Sequence, residues 1–448
     1  MLIFIGLHRL VNGSDHPMKL LVYTEKNTPR TDYIFNLVIE DLAGFSFQVT
    51  NDSGQFDAYT GPKLAYSNRS FKDAIGIANA GFLEGQAKEM KELCFVMHRG
   101  TEVPFAVEGS FDFPFDIFSS AFYLVTRCEE YSTKRRDHHD RFSAYESLAY
   151  KKSFLEKPVI NHWALELRNK IHDRFPLLTY KKKSAKIIST IDVDQLFAIK
   201  ARGFKRTSGR LLKQLITFDV KNIVHTLSVL LFNRKDPFDT FDYILSLSKE
   251  GGHELIFFMH LGNYAAYDKS IAWNHLHMRA TIKKLSNAAF VGIHPSYQAS
   301  GNDEKLRIEI QRYQELLVKN PDKSRQHYLK LYFPQTYRKL IESKVKEDYT
   351  LGYSECIGFR ASICTPFKFY DLYSEQTTDL MLFPFAAMDR ALKDGMKLSV
   401  EESITKLKDI KEAVISVEGL FISLFHNESL SDNKEWKGWR SVYESTFQ

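Results

Sequence analysis

From residue 186 onward, the sequence alternates short apolar segments with segments of helical periodicity. Five apolar segments have the length and composition of buried strands: 186–191, 254–259, 289–293, 380–385 and 420–425. Between them, Leu306, Ile310, Tyr313 and Leu317 form one helical stripe, and Ser399 with Glu402 forms a capping box ahead of another helix. Parallel strands need such helical crossovers. The alternation therefore predicts a parallel α/β architecture, either a barrel or an open sheet.

The first part of the chain has a similar alternation. Strands are predicted at 19–23 and 45–49, and helices from Thr31 to Gly44, at 117–131 and at 159–171. The polar run Lys181-Lys182-Lys183-Ser184 then separates this part from the later strands. A chain of 448 residues is long enough for more than one core. We expect an N-terminal α/β domain over 1–180 and a second domain over 181–448.

Composition narrows the class of protein. Four cysteines in so long a chain favour reduced thiols over a disulfide scaffold, and a net charge of +6 does not predict a nucleic-acid partner. The apolar start at 1–7 is too short for a signal peptide, and translation starting at Met18 is the simpler interpretation. No apolar run approaches the ~20 residues of a spanning helix. These features predict a cytoplasmic protein.

Polar side chains follow three of the predicted strands. Asp192 and Asp194 end the first, His294 follows the third, and His426 follows the last. One aspartate or histidine in such a position is most often a cap or a structural residue. Functional side chains of parallel α/β folds gather at the carboxyl ends of strands, so the joint placement favours a site. Carboxylate with imidazole suits zinc or another first-row divalent ion.

Read in order, these segments resemble the motifs of the polysaccharide deacetylase superfamily, which are metal-dependent amidohydrolases. Thr190-Ile191-Asp192-Val193-Asp194 is similar to the Thr-Phe-Asp-Asp motif with one residue inserted, and Leu424-Phe425-His426 is similar to Leu-x-His. The segment 116–131 resembles the N-terminal signature of an uncharacterised bacterial branch that carries an extra N-terminal domain. The resemblance implies a C-terminal distorted (β/α)7 barrel of this type, preceded by an N-terminal α/β domain.

The resemblance also implies roles for the residues that match the motifs. Asp192 is expected to be the general base, Asp194 a metal ligand and His426 the general acid. Arg360, in a reduced form of the Arg-Pro-Pro-Tyr-Gly motif, is expected to orient the base.

The family's second motif has two metal-binding histidines four residues apart. His294 matches the first of them, but Gln298 stands where the second is expected. His327 is our candidate for the missing ligand. The implied metal is Zn²⁺ or another first-row divalent ion.

Together these expectations predict a deacetylase that removes an N-acetyl or related acyl group from a carbohydrate or glycan precursor. Two alternatives remain open. The chain is a non-catalytic glycan-binding protein if Gln298 marks a lost site, or a peripheral membrane or polyanion-binding protein acting through the basic segment 200–235. For that segment, crossover helices packed on the barrel are the simpler expectation. The oligomeric state is not indicated.

Two histidine pairs outside these motifs are expected to have no role in the metal site. His275 and His277 lie in a helical stretch, where positions i and i+2 do not share a face. His138 and His139 lie in a charged loop and are expected to be solvated.

Overall fold

The computed structural model describes residues 18–85, 92–133, 135–232 and 234–447. The apolar segment at 1–7 lies outside them, so the expectations drawn from the start of the chain stay predictions. Among the described residues, no helix combines the length and the apolar composition needed to cross a membrane.

A four-stranded parallel sheet, in the order β2-β1-β3-β4, forms the base of the N-terminal part. The strands of this part are β1 (Leu20–Thr24), β2 (Phe47–Thr50), β3 (Lys63–Tyr66), β4 (Ile75–Ile77), and the antiparallel pair β5 (Phe95–His98) and β6 (Thr101–Pro104). Its helices are α1 (Pro29–Phe35), α2 (Ser53–Ala58), α3 (Ile117–Val125), α4 (Cys128–Ser132), α5 (Leu148–Lys151) and α6 (Val159–Arg174).

The predicted helix at 117–131 is in fact two helices. The chain breaks between α3 and α4 because Arg127 has a positive φ of 57°. Its guanidinium is fully buried and pairs with Glu129 and Glu130 on the next turn. A local ion cluster therefore overrides the apolar periodicity from which one helix was predicted.

The C-terminal part is built on a nine-stranded sheet in the order β12-β13-β11-β10-β9-β8-β7-β15-β14. All neighbours are parallel except β12 and β13. The strands are β7 (Lys186–Val193), β8 (Glu254–His260), β9 (Phe290–His294), β10 (Lys323–Ser324), β11 (Glu347–Asp348), β12 (Phe367–Asp371), β13 (Gln376–Leu382), β14 (Ala387–Met388) and β15 (Leu420–His426).

Helices lie between these strands in the chain, and one more follows β15. They are α7 (Phe204–Ile216), α8 (Val220–Leu231), α9 (Phe241–Gly251), α10 (Leu276–Ser286), α11 (Asp303–Leu317), α12 (Gln335–Glu342), α13 (Val400–Ile415) and α14 (Trp439–Glu444). The capping box of Ser399 and Glu402 is present at the start of α13, as predicted. Shorter 3₁₀ and π turns lie at Asn36–Leu42, Phe82–Glu84, Ala144–Glu146, Ala299–Gly301, His327–Leu329, Ala391–Gly395, Ser429–Ser431 and Lys434–Trp436.

The large sheet curls strongly without closing. β13 and β14 lie seven strands apart in the pairing order, which is about 34 Å in a flat sheet. Yet only residues 383–386 join Leu382 to Ala387, a link that reaches at most about 18 Å. The sheet must therefore bend until its ends approach each other. The α/β architecture is confirmed, but the closed seven-stranded barrel is not, because nine strands are present and no pairing between described residues joins the two edges.

The N-terminal part shares a hydrophobic core with one edge of the large sheet. The cluster that begins beneath β1 continues into residues 331–382, including Tyr370 on β12. The ring centroids of Tyr33 and Tyr370 lie 5.0 Å apart, and the Tyr33 hydroxyl donates to the carbonyl of Lys368. The strands that carry the polar residues belong to a second cluster. The division at residues 180 and 181 stays a prediction, and buried contacts cross it.

α7 and α8 form a helical hairpin that leaves the carboxyl end of β7. α7 has no buried residue, and α8 buries Thr226 and Val229. The expectation of a crossover helix packed on the sheet is therefore wrong for α7.

Candidate metal centre

The predicted site residues converge because their strands are neighbours in the large sheet. His426 at the end of β15 is in register with Asp192 on β7, and His294 at the end of β9 is in register with His260 on β8. β10, next to β9, leads directly into the segment that contains His327. Strand order thus brings together residues that lie far apart in the sequence.

Asp194 lies at the centre of this group. Its Oδ1 is 3.1 Å from Nε2 of His294, and its Oδ2 is 3.3 Å from Nε2 of His327. Nε2 of His426 lies slightly farther away, 3.7 Å from Oδ2. The donor atoms of Asp194, His294 and His327 all lie within 4.8 Å of one another. A carboxylate and two imidazoles in this arrangement form a suitable donor set for a first-row divalent ion.

The other ring nitrogen of each of these three histidines shows where its ring proton lies. Nδ1 of His294 lies 2.6 Å from the carbonyl oxygen of Arg325, which can only accept a hydrogen bond. Nδ1 of His327 lies 2.9 Å from a carboxylate oxygen of Asp268, and Nδ1 of His426 lies 2.8 Å from one of Asp389. Each Nδ1 must therefore carry the proton, and a neutral ring turns its Nε2 lone pair towards Asp194.

Lone pairs that face a carboxylate need a proton or a metal ion between them. The Oδ1 atom of Asp194 is buried and accepts no well-oriented hydrogen bond. In their neutral forms, His294 and His327, each with its Nδ1 held by an acceptor, have the arrangement that metal-ligating imidazoles usually have. The residues present therefore fit a divalent cation.

The same geometry shifts the pKa values of Asp194 and His327 when protons rather than a cation lie between them. Burial raises the pKa of Asp194, but His327 and His294 outweigh it and bring that pKa well below its usual range. Burial lowers the pKa of His327, but Asp194 and Asp268 raise it by more, so that it is about 10. The carboxylate is thus held ionised and ready to bind a cation.

Asp192 is held by a different arginine from the one predicted. Nη1 of Arg325 donates to Oδ1 of Asp192 at 2.9 Å and to the Thr190 hydroxyl at 2.7 Å, and both side chains are buried. Oδ2 of Asp192 lies 3.7 Å from Nε2 of His294, so it faces the same group of side chains as Asp194.

The predicted pairing of Arg360 with the base is wrong. Arg360 forms a bidentate salt bridge with Glu130, at 2.9 and 2.6 Å, and donates to the carbonyl of Gly352. It lies in the loop between β11 and β12, whereas Arg325 directly follows β10 beside β9. The residues around Arg360 depart from the Arg-Pro-Pro-Tyr-Gly motif, and this arginine also lies at a different place in the fold.

Asp268 is a supporting residue that the sequence reading missed. Its Oδ1 accepts hydrogen bonds from Nδ1 of His327, from Nε2 of His260 and from the backbone N–H of Tyr297. His260, Asp268 and His327 could also be grouped as cation ligands. Because Oδ1 of Asp268 already faces three donors and His327 is shared, the group is better described as a hydrogen-bond network that fixes the His327 ring.

Asp389 plays the corresponding part for His426. One of its oxygens lies 2.8 Å from Nδ1 of that ring, and the other accepts the backbone N–H of His426 at 2.8 Å. Burial lowers the pKa of His426, but Asp389 and Asp194 raise it to about 9. The fully buried carboxylate therefore stabilises a protonated imidazole whose Nε2 faces Asp194.

Gln298 does not take part in the centre. It lies on the surface after β9, where its side chain accepts a hydrogen bond from Lys305. His327 instead lies beside Asp194 and His294, reached through β10 rather than through a helical turn after His294.

A cleft of about 650 Å³ opens above the centre. Asp192, Asp194, His294, His327 and His426 line its floor. Its wall contains the rings of Tyr145, Tyr267 and Tyr328. A cleft with aromatic walls and a few converging polar groups is a usual form for a small-molecule site.

The N-terminal part supplies one side of this cleft. His139 is buried, its ring lies 4.7 Å from that of Tyr328, and burial lowers its pKa. Arg141 donates to the carbonyl of Tyr328 at 2.9 Å. The expectation that the loop of His138 and His139 is solvated is wrong for His139, because the loop folds onto the segment after β10. His275, in contrast, caps the N-terminus of α10 away from the centre.

Comparison with known proteins gives a partial match. Residues 20–176 match the model of a family described as "Family of unknown function (DUF7033)". No curated protein sequence matches the chain at a significant level.

Three solved structures show distant similarity to the chain. Two proteins assigned as polysaccharide deacetylases, from Mycobacterium smegmatis and Pseudomonas aeruginosa PAO1, are 12% and 11% identical with TM-scores of 0.37 and 0.35. Their alignments cover 60% and 59% of this chain and 85% and 83% of theirs. The third, a polysaccharide deacetylase from Bacillus cereus, is 10% identical with a TM-score of 0.28, over 59% of this chain and 86% of its own.

Proposed function

We propose that the protein is a metal-dependent hydrolase that removes an N-acetyl or related acyl group from a carbohydrate or glycan precursor. The observation that carries the proposal is the convergence on Asp194 of imidazole nitrogens whose opposite nitrogens are all held by acceptors. The resemblance of Thr190–Asp194 and Leu424–His426 to deacetylase motifs supports the choice of reaction. The aromatic wall of the cleft supports a sugar-sized substrate.

In this proposal Asp194, His294 and His327 hold the ion, which is Zn²⁺ or another first-row divalent metal. Such an ion polarises a carbonyl oxygen and lowers the pKa of water. The chain's own groups then divide the proton transfers. Asp192, held in place by Arg325, takes a proton from the attacking water through Oδ2. His426, kept protonated by Asp389, gives a proton from Nε2 to the leaving nitrogen.

Arg325 takes over the role first assigned to Arg360. Its guanidinium is fully buried and contacts Asp192, Thr190 and the carbonyl of Tyr349. A guanidinium held at three points cannot move away from the base. Arg325 therefore fixes the position of the Asp192 carboxylate and carries a charge opposite to it.

Acetate release tests the proposal directly. Protein loaded with Zn²⁺, Co²⁺ or Ni²⁺ is incubated with a panel of N-acetylated mono- and oligosaccharides, and free acetate is measured. We expect turnover in the wild type and a loss of roughly 100-fold or more in Asp192→Asn and His426→Gln. Asp379→Asn is the matched control, since that carboxylate is fully exposed. A metal-loaded wild type that binds oligosaccharide but releases no acetate would instead be a non-catalytic glycan-binding protein.

A further inference from the structure

The hairpin of α7 and α8, residues 204–232, exposes an unusual amount of apolar surface. Ten of the 23 exposed large apolar side chains among the described residues lie within it. Phe204 and Phe218 are each 88% exposed. Soluble proteins rarely leave so many large apolar groups together in water, and such patches mark interaction surfaces.

The exposed groups recur at helical spacing along both helices and so define one apolar face on each. On α7, Leu212, Leu215 and Ile216 follow the spacing of one helical face, and on α8 Val220 and Val224 do the same. Phe218, in the turn between the helices, joins the two faces. A surface helix normally turns its apolar face to the core. Here both helices turn such a face outward.

The segment that carries these apolar faces is basic. The segment 200–235 contains nine lysines and arginines and a single acidic residue, Asp219. Lys205, Lys213 and Lys221 are exposed next to the apolar face. An apolar face rimmed by exposed lysines is the pattern of helices that lie in the interface of an anionic membrane.

We propose that this hairpin docks on the surface of a bilayer that contains anionic lipid. The helices have 13 and 12 residues, so each is too short to span the bilayer and lies in its interface. Leu215, Ile216 and Phe218 enter the acyl boundary, and the lysines meet the headgroups. A symmetric contact with a second copy fits less well, because it would place the same basic surface against itself.

The hairpin adjoins the rim of the cleft. It follows Asp194 by ten residues, and the Arg206 guanidinium lies over the ring of Tyr264 at 4.5 Å. Nζ of Lys269, a residue of the cleft wall, lies over the same ring at 4.8 Å. A second groove, lined by Arg210, also shares Arg390 with the cleft. Docking of the hairpin therefore brings the cleft to the membrane surface. This step rests on the proposed function, and it implies that the substrates are glycans carried on a lipid.

Vesicle flotation tests the docking without reference to hydrolysis, so its failure is distinct from failure of the proposed function. The full chain is mixed with vesicles of phosphatidylcholine, with or without phosphatidylglycerol. We expect flotation with the anionic vesicles that weakens with added salt. Ile216→Ser with Phe218→Ser should lower the partition coefficient roughly 10-fold or more, and Lys213→Gln with Lys221→Gln by a similar factor.

Leu177→Ser is the matched control, because Leu177 is 83% exposed but lies outside the hairpin. It should leave flotation unchanged. Circular dichroism of each variant checks that the fold is kept. The proposal is overturned if the wild type does not float with anionic vesicles, or if the hairpin variants float as well as it does. It is also overturned if light scattering shows a dimer that the serine variant dissociates, with no vesicle binding.

Discussion

Arg360 belongs to a buried cluster of two arginines and two glutamates between the N-terminal part and the large sheet. Arg360 pairs with Glu130, and Arg127 pairs with both Glu129 and Glu130. The side chains of Arg360 and Glu130 are 2% and 0% exposed. With all four groups present the cluster is neutral. Arg360→Met therefore leaves two carboxylates to share one guanidinium.

The expected cost follows from this charge balance. Removing one member of a buried ion pair destabilises a protein by about 3–5 kcal/mol, and Arg360 also loses its hydrogen bond to the carbonyl of Gly352. Adding Glu130→Gln restores neutrality, so the double variant should recover about 1–3 kcal/mol relative to Arg360→Met alone. The substitution should leave metal binding unchanged, because Arg360 contacts none of the residues of the metal centre in the structure.

Urea unfolding followed by circular dichroism measures these free energies, and calorimetric titration measures metal affinity. Arg135→Met is the matched control, because Arg135 pairs with Glu146 while 81% exposed and should cost less than about 1 kcal/mol. The reasoning is refuted if Arg360→Met keeps wild-type stability but loses turnover, which is the result expected of an arginine that orients the base. A double variant less stable than Arg360→Met would also refute it.

Two further predictions concern buried carboxylates. Burial raises the pKa of Asp348 to about 6, so the folded protein binds this proton more tightly than the unfolded chain and loses stability as pH rises from about 4 to 6. The stability of Asp348→Asn relative to the wild type should therefore increase by about 2–3 kcal/mol over that range in urea unfolding, and a constant difference would contradict the pKa shift. Asp268→Asn, which weakens the hydrogen bond that orients His327, should lower Zn²⁺ affinity roughly 10- to 100-fold in calorimetric titration, and unchanged affinity would show that the ring does not need Asp268.

The sequence predicted the strands of the site well because their signal is local. The strands predicted at 186–191, 254–259 and 420–425 are each present and only one or two residues longer in the structure. Long apolar runs between helices leave few alternatives. The positions of Asp192, Asp194 and His426 follow from where these strands end, and their joint placement led to the prediction of a site. The strand predicted at 380–385 lies earlier, at Gln376–Leu382, because its pairing with β12 is set by a hairpin that has no strong apolar pattern.

The partners of the site could not be predicted, because they depend on strand order. Asp268 and Arg325 reach the centre only once β8, β9 and β10 lie side by side. β10 has two residues, too few to leave a pattern in the sequence. Motif order alone suggested Arg360 for the base, whereas the fold gives that place to Arg325. The exposed apolar face of α7 could not be predicted either, because helical periodicity shows that a helix is amphipathic but not which of its faces is exposed to solvent.

Metal stoichiometry of purified variants tests the central claim most directly. Each protein is stripped with a chelator, titrated with Zn²⁺ and assayed by elemental analysis after gel filtration. The arrangement around Asp194 predicts one ion per chain in the wild type and in Asp192→Asn, and loss of that ion in Asp194→Ala. A wild type that takes up no ion, or an Asp194→Ala variant that binds as tightly as the wild type, would contradict it.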